Sequence, residues 1–258
     1  MMRFTLLGSG TSTGVPLAGC RCAVCTSTNP KNLRNRTSAL IELPSGFAIL
    51  VDAGPDLRHQ CIAHRVRRID AVLYTHGHAD HILGTDDLRS YNFIGRHRIS
   101  CHGSQETLAS LRRSFSYIFD QSSGYVGGLL PQLDLHEFPH EGVIEIGGAS
   151  LETFPLPHGD VQVTGFRLGD LAYCTDFKGL PDSAAKKLQG LKYLFIDGIR
   201  YEPHNTHNTI EEAVDIAARL KPERTFLIHT THSVDYDEVN PLLPPGIELG
   251  YDGITIQF

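Results

Sequence analysis

From residue 71 the chain reads Ala71-Val72-Leu73-Tyr74-Thr75-His76-Gly77-His78-Ala79-Asp80-His81, an apolar run that passes straight into three imidazoles and a carboxylate within six residues. The run has the length and composition of a buried strand. Its ligand-type side chains therefore sit on a short loop at a strand end. The spacing lets alternate side chains converge on one metal ion while the next two reach a second, and imidazole and carboxylate donors suit zinc, manganese and iron. A loop of this kind completes its coordination only if other strands carry ligands to the same place. That demand restricts the fold to sheets whose strand ends meet.

The downstream chain supplies such ligands singly, each after a strand-like run. His158 follows Leu151-Glu152-Thr153-Phe154-Pro155-Leu156-Pro157, Asp176 follows Leu171-Ala172-Tyr173-Cys174-Thr175, and His229 follows Thr225-Phe226-Leu227-Ile228. Each alone reads equally well as a polar residue ending a strand. Together they complete the inventory of a two-metal site. Upstream, Gly8-Ser9-Gly10-Thr11-Ser12 reads as a tight strand-to-loop turn, and no Lys-Ser/Thr follows it in the manner of a phosphate-binding loop. Asp52, after Ile49-Leu50-Val51, is either a turn residue or a carboxylate that orients a ligand imidazole.

In this order of motifs, HxHxDH followed by a lone His, a lone Asp and a final His, the chain resembles the metallo-β-lactamase fold superfamily across nearly its whole length. The resemblance implies an α/β (α+β) fold, a four-layer αββα sandwich. It also implies that His76, His78 and His158 hold one metal and that Asp80, His81 and His229 hold the other. The Asp176 carboxylate bridges them, and Asp80 counts among the catalytic groups as well as the ligands. A hydroxide between the ions is then the nucleophile, with two divalent ions, Zn or Mn, as cofactors. The same resemblance implies that Asp52 orients a ligand imidazole rather than binding a metal directly.

Three of the six cysteines fall in Cys20-Arg21-Cys22-Ala23-Val24-Cys25. The spacing is too tight for easy internal disulfides, while three thiolates on a turn suit a tetrahedral structural zinc; the other reading is of free or redox-active thiols. A fourth ligand is available in His232, three residues beyond His229 and able to face away from the dinuclear site. Both clusters together resemble the PhnP-type cyclic ribose phosphate phosphodiesterases, in which a CxCxxC knot and a histidine so placed carry a structural zinc. That matches Cys20, Cys22, Cys25 and His232. The group also places a histidine on a loop before a C-terminal helix, as general acid or transition-state stabiliser. His204 and His207 compete for that role. His207 is preferred because it lies closer to the helix start, and an imidazole suits proton donation to a departing alkoxide near neutral pH.

At 258 residues, 41% hydrophobic and 20% charged, the chain can bury a full core, and residues 1–258 are expected to form one hydrolase domain. The formal charge of −6 and the lack of long Lys/Arg runs argue against a broad nucleic-acid surface and leave a small anionic substrate compatible. The first residues carry too short an apolar run for a signal peptide, no run is long enough to span a membrane, and the thiols are arranged for metal; cytoplasmic location is the expectation. Homodimerisation is expected from the resemblance alone.

Strands are predicted over 2–7, 39–43, 47–52, 71–75, 150–156, 162–168, 171–175, 193–197, 224–229 and 254–258. Helices are predicted over 56–66, 83–91, 104–118, 182–189 and 209–219, the last ended by Pro222. The metals are expected at one sheet edge. The irregular stretch 120–130 reads as a lid with Tyr125 near substrate or as a plain surface connection, and any one of Arg34, Arg36, Arg58 and Arg200 reads as a solvated or paired side chain.

The leading functional expectation is a metal-dependent phosphodiesterase acting on a small cyclic or simple phosphodiester. A ribonuclease resembling the tRNA 3′-processing enzymes shares the seven ligands, but no RNA-gripping arm is evident. A lactonase or glyoxalase II-like thioesterase leaves the cysteine knot and His207 unexplained. A β-lactamase proper is disfavoured because Asp176 stands where that class commonly uses a thiolate. A binding or carrier protein of the PqqB type is disfavoured because all seven ligands are present.

Overall fold

The computed structural model describes residues 1–120 and 127–258; of the segment 120–130, residues 121–126, Tyr125 among them, lie outside the described residues. Two seven-stranded sheets face each other. The first contains β1 (Arg3–Gly8), β2 (Ser38–Glu42), β3 (Ala48–Val51), β4 (Ala71–Leu73), β5 (Ile99–Gly103) and β6 (Leu133–Glu137) in spatial order, with β14 (Thr255–Gln257) added beside β1. In the second, β7 (Gly142–Ile146), β8 (Ala149–His158), β9 (Val161–Leu168), β10 (Leu171–Cys174), β11 (Tyr193–Asp197), β12 (Arg224–Ile228) and β13 (Ile247–Leu249) are likewise adjacent in order. In each sheet an antiparallel meander passes into parallel strands, from β3 in the first and from β10 in the second.

Side-chain alternation explains the layering. On β3, Ile49 and Val51 point into the core between the sheets, where they join Phe4, Leu73, Phe166, Tyr173, Phe195 and Phe226. Leu50 and Val72 point the other way and pack beneath α1 (Leu57–Ala63) and α4 (Gln105–Ser114). The outer face of the second sheet is covered in the same way by α6 (Asp182–Lys187) and α7 (Ile210–Leu220). Strands buried on both faces have continuous apolar sequences, and the resulting order of layers is αββα.

The central strands and α6 and α7 fall where the sequence predicts them. Two helices differ. The helix expected over 83–91 begins instead inside the ligand loop, as α2 (Ala79–Ile82), and is interrupted at Gly84. A Cβ on that residue would collide with the Gly54 carbonyl, so the chain turns there before a 3₁₀ turn at Thr85–Leu88 and α3 (Arg89–Gly95). The helix expected over 104–118 breaks at Phe115 (φ −122°, ψ 45°), whose ring enters the core, and α5 (Ser116–Phe119) follows. Strands β5, β6, β7 and β13 were not predicted. β6, β7 and β13 are outer strands of their sheets. The expected ligand residues come together at the ends of β4, β8, β10 and β12, none of which is an outer strand of its sheet. No helix among the described residues is long and apolar enough to cross a membrane.

Candidate metal centre

The ligand loop leaves β4 at Thr75 and is pinned from both sides. Thr75 donates its N–H and its hydroxyl to the two Asp52 carboxylate oxygens, at 2.8 Å each. Ala53 N–H donates to the His81 carbonyl at 2.8 Å. The loop runs so close to the turn after β3 that a Cβ on Gly54 would strike the Asp80 carbonyl. The second sheet brings His158 at the end of β8, Asp176 just after β10 and His229 just after β12. Asp52, Asp176 and His229 have φ of 59°, 51° and 61°. Residues with a Cβ seldom occupy that left-handed region, and three of the six described non-glycine residues that do so are these strand-end residues of the centre, the others being Arg65, Arg96 and Lys221.

Two groups of donor atoms result. His76, His78 and His158 form one; Asp80, His81, Asp176 and His229 form the other, all donors within each lying within 4.8 Å of one another. Asp176 Oδ2 stands between them, 3.2 Å from His229 Nε2, 3.4 Å from His81 Nε2 and 4.0 Å from His76 Nε2. The Nε2 atoms of His76, His81 and His229 are buried and have no hydrogen-bond partner. Buried imidazole nitrogens are costly to leave unpaired, so three of them converging on two carboxylates fit a cation-binding centre. The charge distribution agrees. Burial pushes the Asp80 carboxyl up, but His81 and His229 outweigh it and hold it well below the usual carboxylate range. Burial likewise opposes a charged His229, yet Asp176 and Asp80 carry it up to about 10. Without a metal, protons on the imidazoles balance these carboxylates; a divalent ion would replace them.

The neighbouring residues fix ring orientation. His81 Nδ1 lies 2.7 Å from Asp52 Oδ2, which fulfils the orienting role considered for Asp52, and His158 Nδ1 donates to the Thr206 carbonyl at 3.0 Å. His207 is buried beside both groups. Its ring is edge-on to His158 at 4.7 Å and stacked on His229 at 4.7 Å, and its Nδ1 is 2.7 Å from Asp197 Oδ2. His204 is one layer further out, 4.9 Å from the His207 ring, so of the two competitors His207 is the one at the centre.

Asp197 is the site residue the sequence reading missed. It ends β11, Asp52 directly follows β3, and Ile196-Asp197-Gly198 resembles Val51-Asp52-Ala53-Gly54; that parallel was the available signal. Two of the four arginines are engaged elsewhere. Arg34 is buried and bonded to backbone, and Arg36 pairs with Asp56 at 2.9 Å.

The cysteine loop forms a separate cluster. Cys20, Cys22, Cys25 and His232 bring four donor atoms within 4.8 Å, with His232 Nδ1 3.4 Å from Cys22 Sγ and 3.7 Å from Cys20 Sγ. Backbone N–H groups of Cys22, Cys25 and Leu17 point at the sulfurs of Cys20, Cys22 and Cys25. His232, then the Cys25 N–H, pulls the Cys22 thiol down to about 6. No disulfide forms among the described residues. The donor set suits a tetrahedral zinc.

A family model described as the β-lactamase superfamily domain matches residues 48–230, a span that contains all seven ligands of the paired groups. The chain belongs to that superfamily. Within it, the crystal structure of a diphosphatase from the PhnP family is similar at a TM-score of 0.92 and 40% identity, over 100% of this chain and 98% of that one. An octanoyltransferase of Porphyromonas gingivalis is 38% identical over 98% of this chain and 51% of its own length. A ribonuclease Z of a Bradyrhizobium species is 30% identical over 53% of this chain and 45% of its own length. The chain thus spans about half the length of these two curated relatives.

Proposed function

We propose that this chain is a dinuclear metal-dependent phosphodiesterase acting on a small phosphodiester, such as a ribose 1,2-cyclic phosphate. The observation that carries the reading is the Asp197–His207 pair beside the two ligand groups. Asp197 accepts the Nδ1 proton, so His207 presents Nε2 to the cleft, where it can give a proton to a leaving alkoxide. Cleavage of a thioester has little need of such a donor, because a thiolate leaves without one. The similarity to the PhnP-family diphosphatase over the full chain supports phosphoryl chemistry as well.

His76, His78 and His158 would hold one ion, Asp80, His81 and His229 the other, and Asp176 would lie between them. Two divalent ions supply an acidified water and positive charge for the attacking and leaving oxygens of an in-line displacement. The chain's own groups do the remainder. Asp52 and the Thr206 carbonyl hold His81 and His158 with Nε2 inward, and exposed His78 leaves the centre open to a small substrate. Cys20, Cys22, Cys25 and His232 would hold a structural zinc.

The test is hydrolysis of bis-p-nitrophenyl phosphate and a ribose 1,2-cyclic phosphate beside a thioester and a homoserine lactone, with Mn- or Zn-loaded protein. Turnover confined to phosphodiesters is expected, with His207→Ala lowering kcat by about a hundredfold or more at unchanged metal content. Preference for the thioester or lactone, with an indifferent His207→Ala, would overturn the reading.

A further inference from the structure

Among the described residues Arg34 is the largest side chain to be almost wholly buried, at 1% exposure, and none of the ion pairs found there includes it, although the charges of Asp252 and Asp235 act on it from further off. Its guanidinium donates entirely to uncharged oxygens. Nη1 reaches the Thr231 carbonyl at 3.0 Å, Nη2 reaches the Val234 carbonyl at 2.6 Å and Asn32 Oδ1 at 2.9 Å, and Nε reaches the Lys31 carbonyl at 3.2 Å. Burying a charge against uncharged oxygens is expensive, so its position calls for an explanation.

The segment it grips explains it. Residues 229–234 carry His229 of the dinuclear group at one end and His232 of the cysteine group three residues later. The two forked contacts fall on Thr231 and Val234, on either side of His232. Through its main chain Arg34 grips the other half of the cysteine site. Its N–H and carbonyl exchange hydrogen bonds with Val15 at 2.8 Å each, and Val15 opens the loop in which Leu17 N–H contacts Cys25 Sγ. The Gly8–Thr11 loop lies between, with Thr11 N–H on the Thr230 carbonyl and Thr230 N–H on the Ser9 carbonyl, each at 3.2 Å.

We infer that Arg34 is a positioning residue that makes the cysteine site and the His229 side of the dinuclear site one mechanical unit, so that losing metal from the first loosens metal in the second. The inference rests on the metal reading of both clusters. Lysine at 34 retains the charge but has a single ammonium with three donors in place of a planar fork, and cannot serve all four of these acceptors. Emptying the cysteine site frees His232, and with it the middle of the segment that sets where His229 points.

The test is a double-mutant cycle read by metal release rather than by turnover. Wild type, Arg34→Lys, Cys22→Ser and the double variant are loaded with zinc, their metal content is counted by mass spectrometry, and the rate at which a chromogenic chelator strips the dinuclear ions is followed. Each single variant should release a dinuclear ion about tenfold faster or more, the size typical of lost outer support. The double variant should be no faster than the faster single, because both act through one segment. Unchanged release in either single variant, or multiplicative effects in the double, overturns the inference. If Arg34→Lys does not fold, Cys22→Ser decides by itself: faster dinuclear release upholds the coupling and wild-type release overturns it. A wild-type chain that takes up no metal would bring down the hydrolase reading too, whereas full uptake with uncoupled release overturns this inference alone.

Discussion

Asp197 decides which nitrogen of His207 faces the cleft. Replacing it with asparagine keeps a side chain of the same shape while removing the carboxylate that accepts from His207 Nδ1. We predict that Asp197→Asn lowers kcat on a phosphodiester by about tenfold or more with metal content unchanged, and by less than His207→Ala. A fully active Asp197→Asn would show that the carboxylate only holds the loop, through its 3.0 Å contact with Phe177 N–H. His229 carries a second prediction. Asp176 and Asp80, against the opposing effect of burial, raise its pKa to about 10, so in the metal-free protein the ring is protonated through the neutral range. A proton must leave before the nitrogen can bind an ion, so metal affinity should rise with pH below 10, by about tenfold per pH unit for each proton displaced. Calorimetric titrations at pH 6.5 and 8.5 measure this; equal affinities would contradict it. At this scale the sequence was readable because imidazole, thiolate and clustered carboxylate are chemically distinctive. Asp197 was not, because a lone aspartate after a strand has the same composition as an ordinary turn.

Whether a strand was legible depended on how it is covered. β3, β4, β10, β11 and β12 are buried on both faces and have apolar runs that the sequence could show. Outer strands β6 and β7 mix exposed and buried positions, as in Leu133-Asp134-Leu135-His136-Glu137, and their pairing comes from a neighbouring strand rather than from their own composition. The interruption at Gly84 was invisible for a related reason, since its cause is a carbonyl thirty positions earlier in the chain. By contrast α7 is specified locally. Thr209 Oγ1 accepts from Glu212 N–H at 3.2 Å while Glu212 Oε2 accepts from Thr209 N–H at 2.8 Å, and the helix ends at Lys221 in a left-handed conformation just before Pro222. Thr209→Ala should cost about 1 kcal/mol and lower the melting temperature by about 2 to 4 °C. His207 lies two residues upstream on the segment this cap anchors, so kcat should fall along with stability. Calorimetry on the variant checks the first and steady-state kinetics the second; an unchanged melting temperature would mean that Glu212, which also pairs with Lys178 at 2.6 Å, holds the helix start without the cap.

The two halves of the molecule share one core and one set of ligands. Apart from β14, the first sheet is built from the first half of the chain and the second sheet from the second half. His76, His78, Asp80 and His81 come from the first, and His158, Asp176 and His229 from the second. Ions bound there would act as cross-links between sheets whose inner faces already pack Phe4 against Phe195 and Tyr173. A ligand that binds only the folded chain stabilises it by mass action, by about 2.7 kcal/mol at a hundred times its Kd. For a chain of this size that corresponds to a fall in melting temperature of about 5 to 10 °C when a chelator removes the metal. Because the inner core belongs to both sheets, the chelated protein should still unfold in one transition, only at lower temperature. Differential scanning calorimetry with and without chelator distinguishes the outcomes. Two transitions after chelation would mean that the halves are joined by the ions rather than by the core, and no shift at all would mean that the seven ligands hold no metal in the folded state.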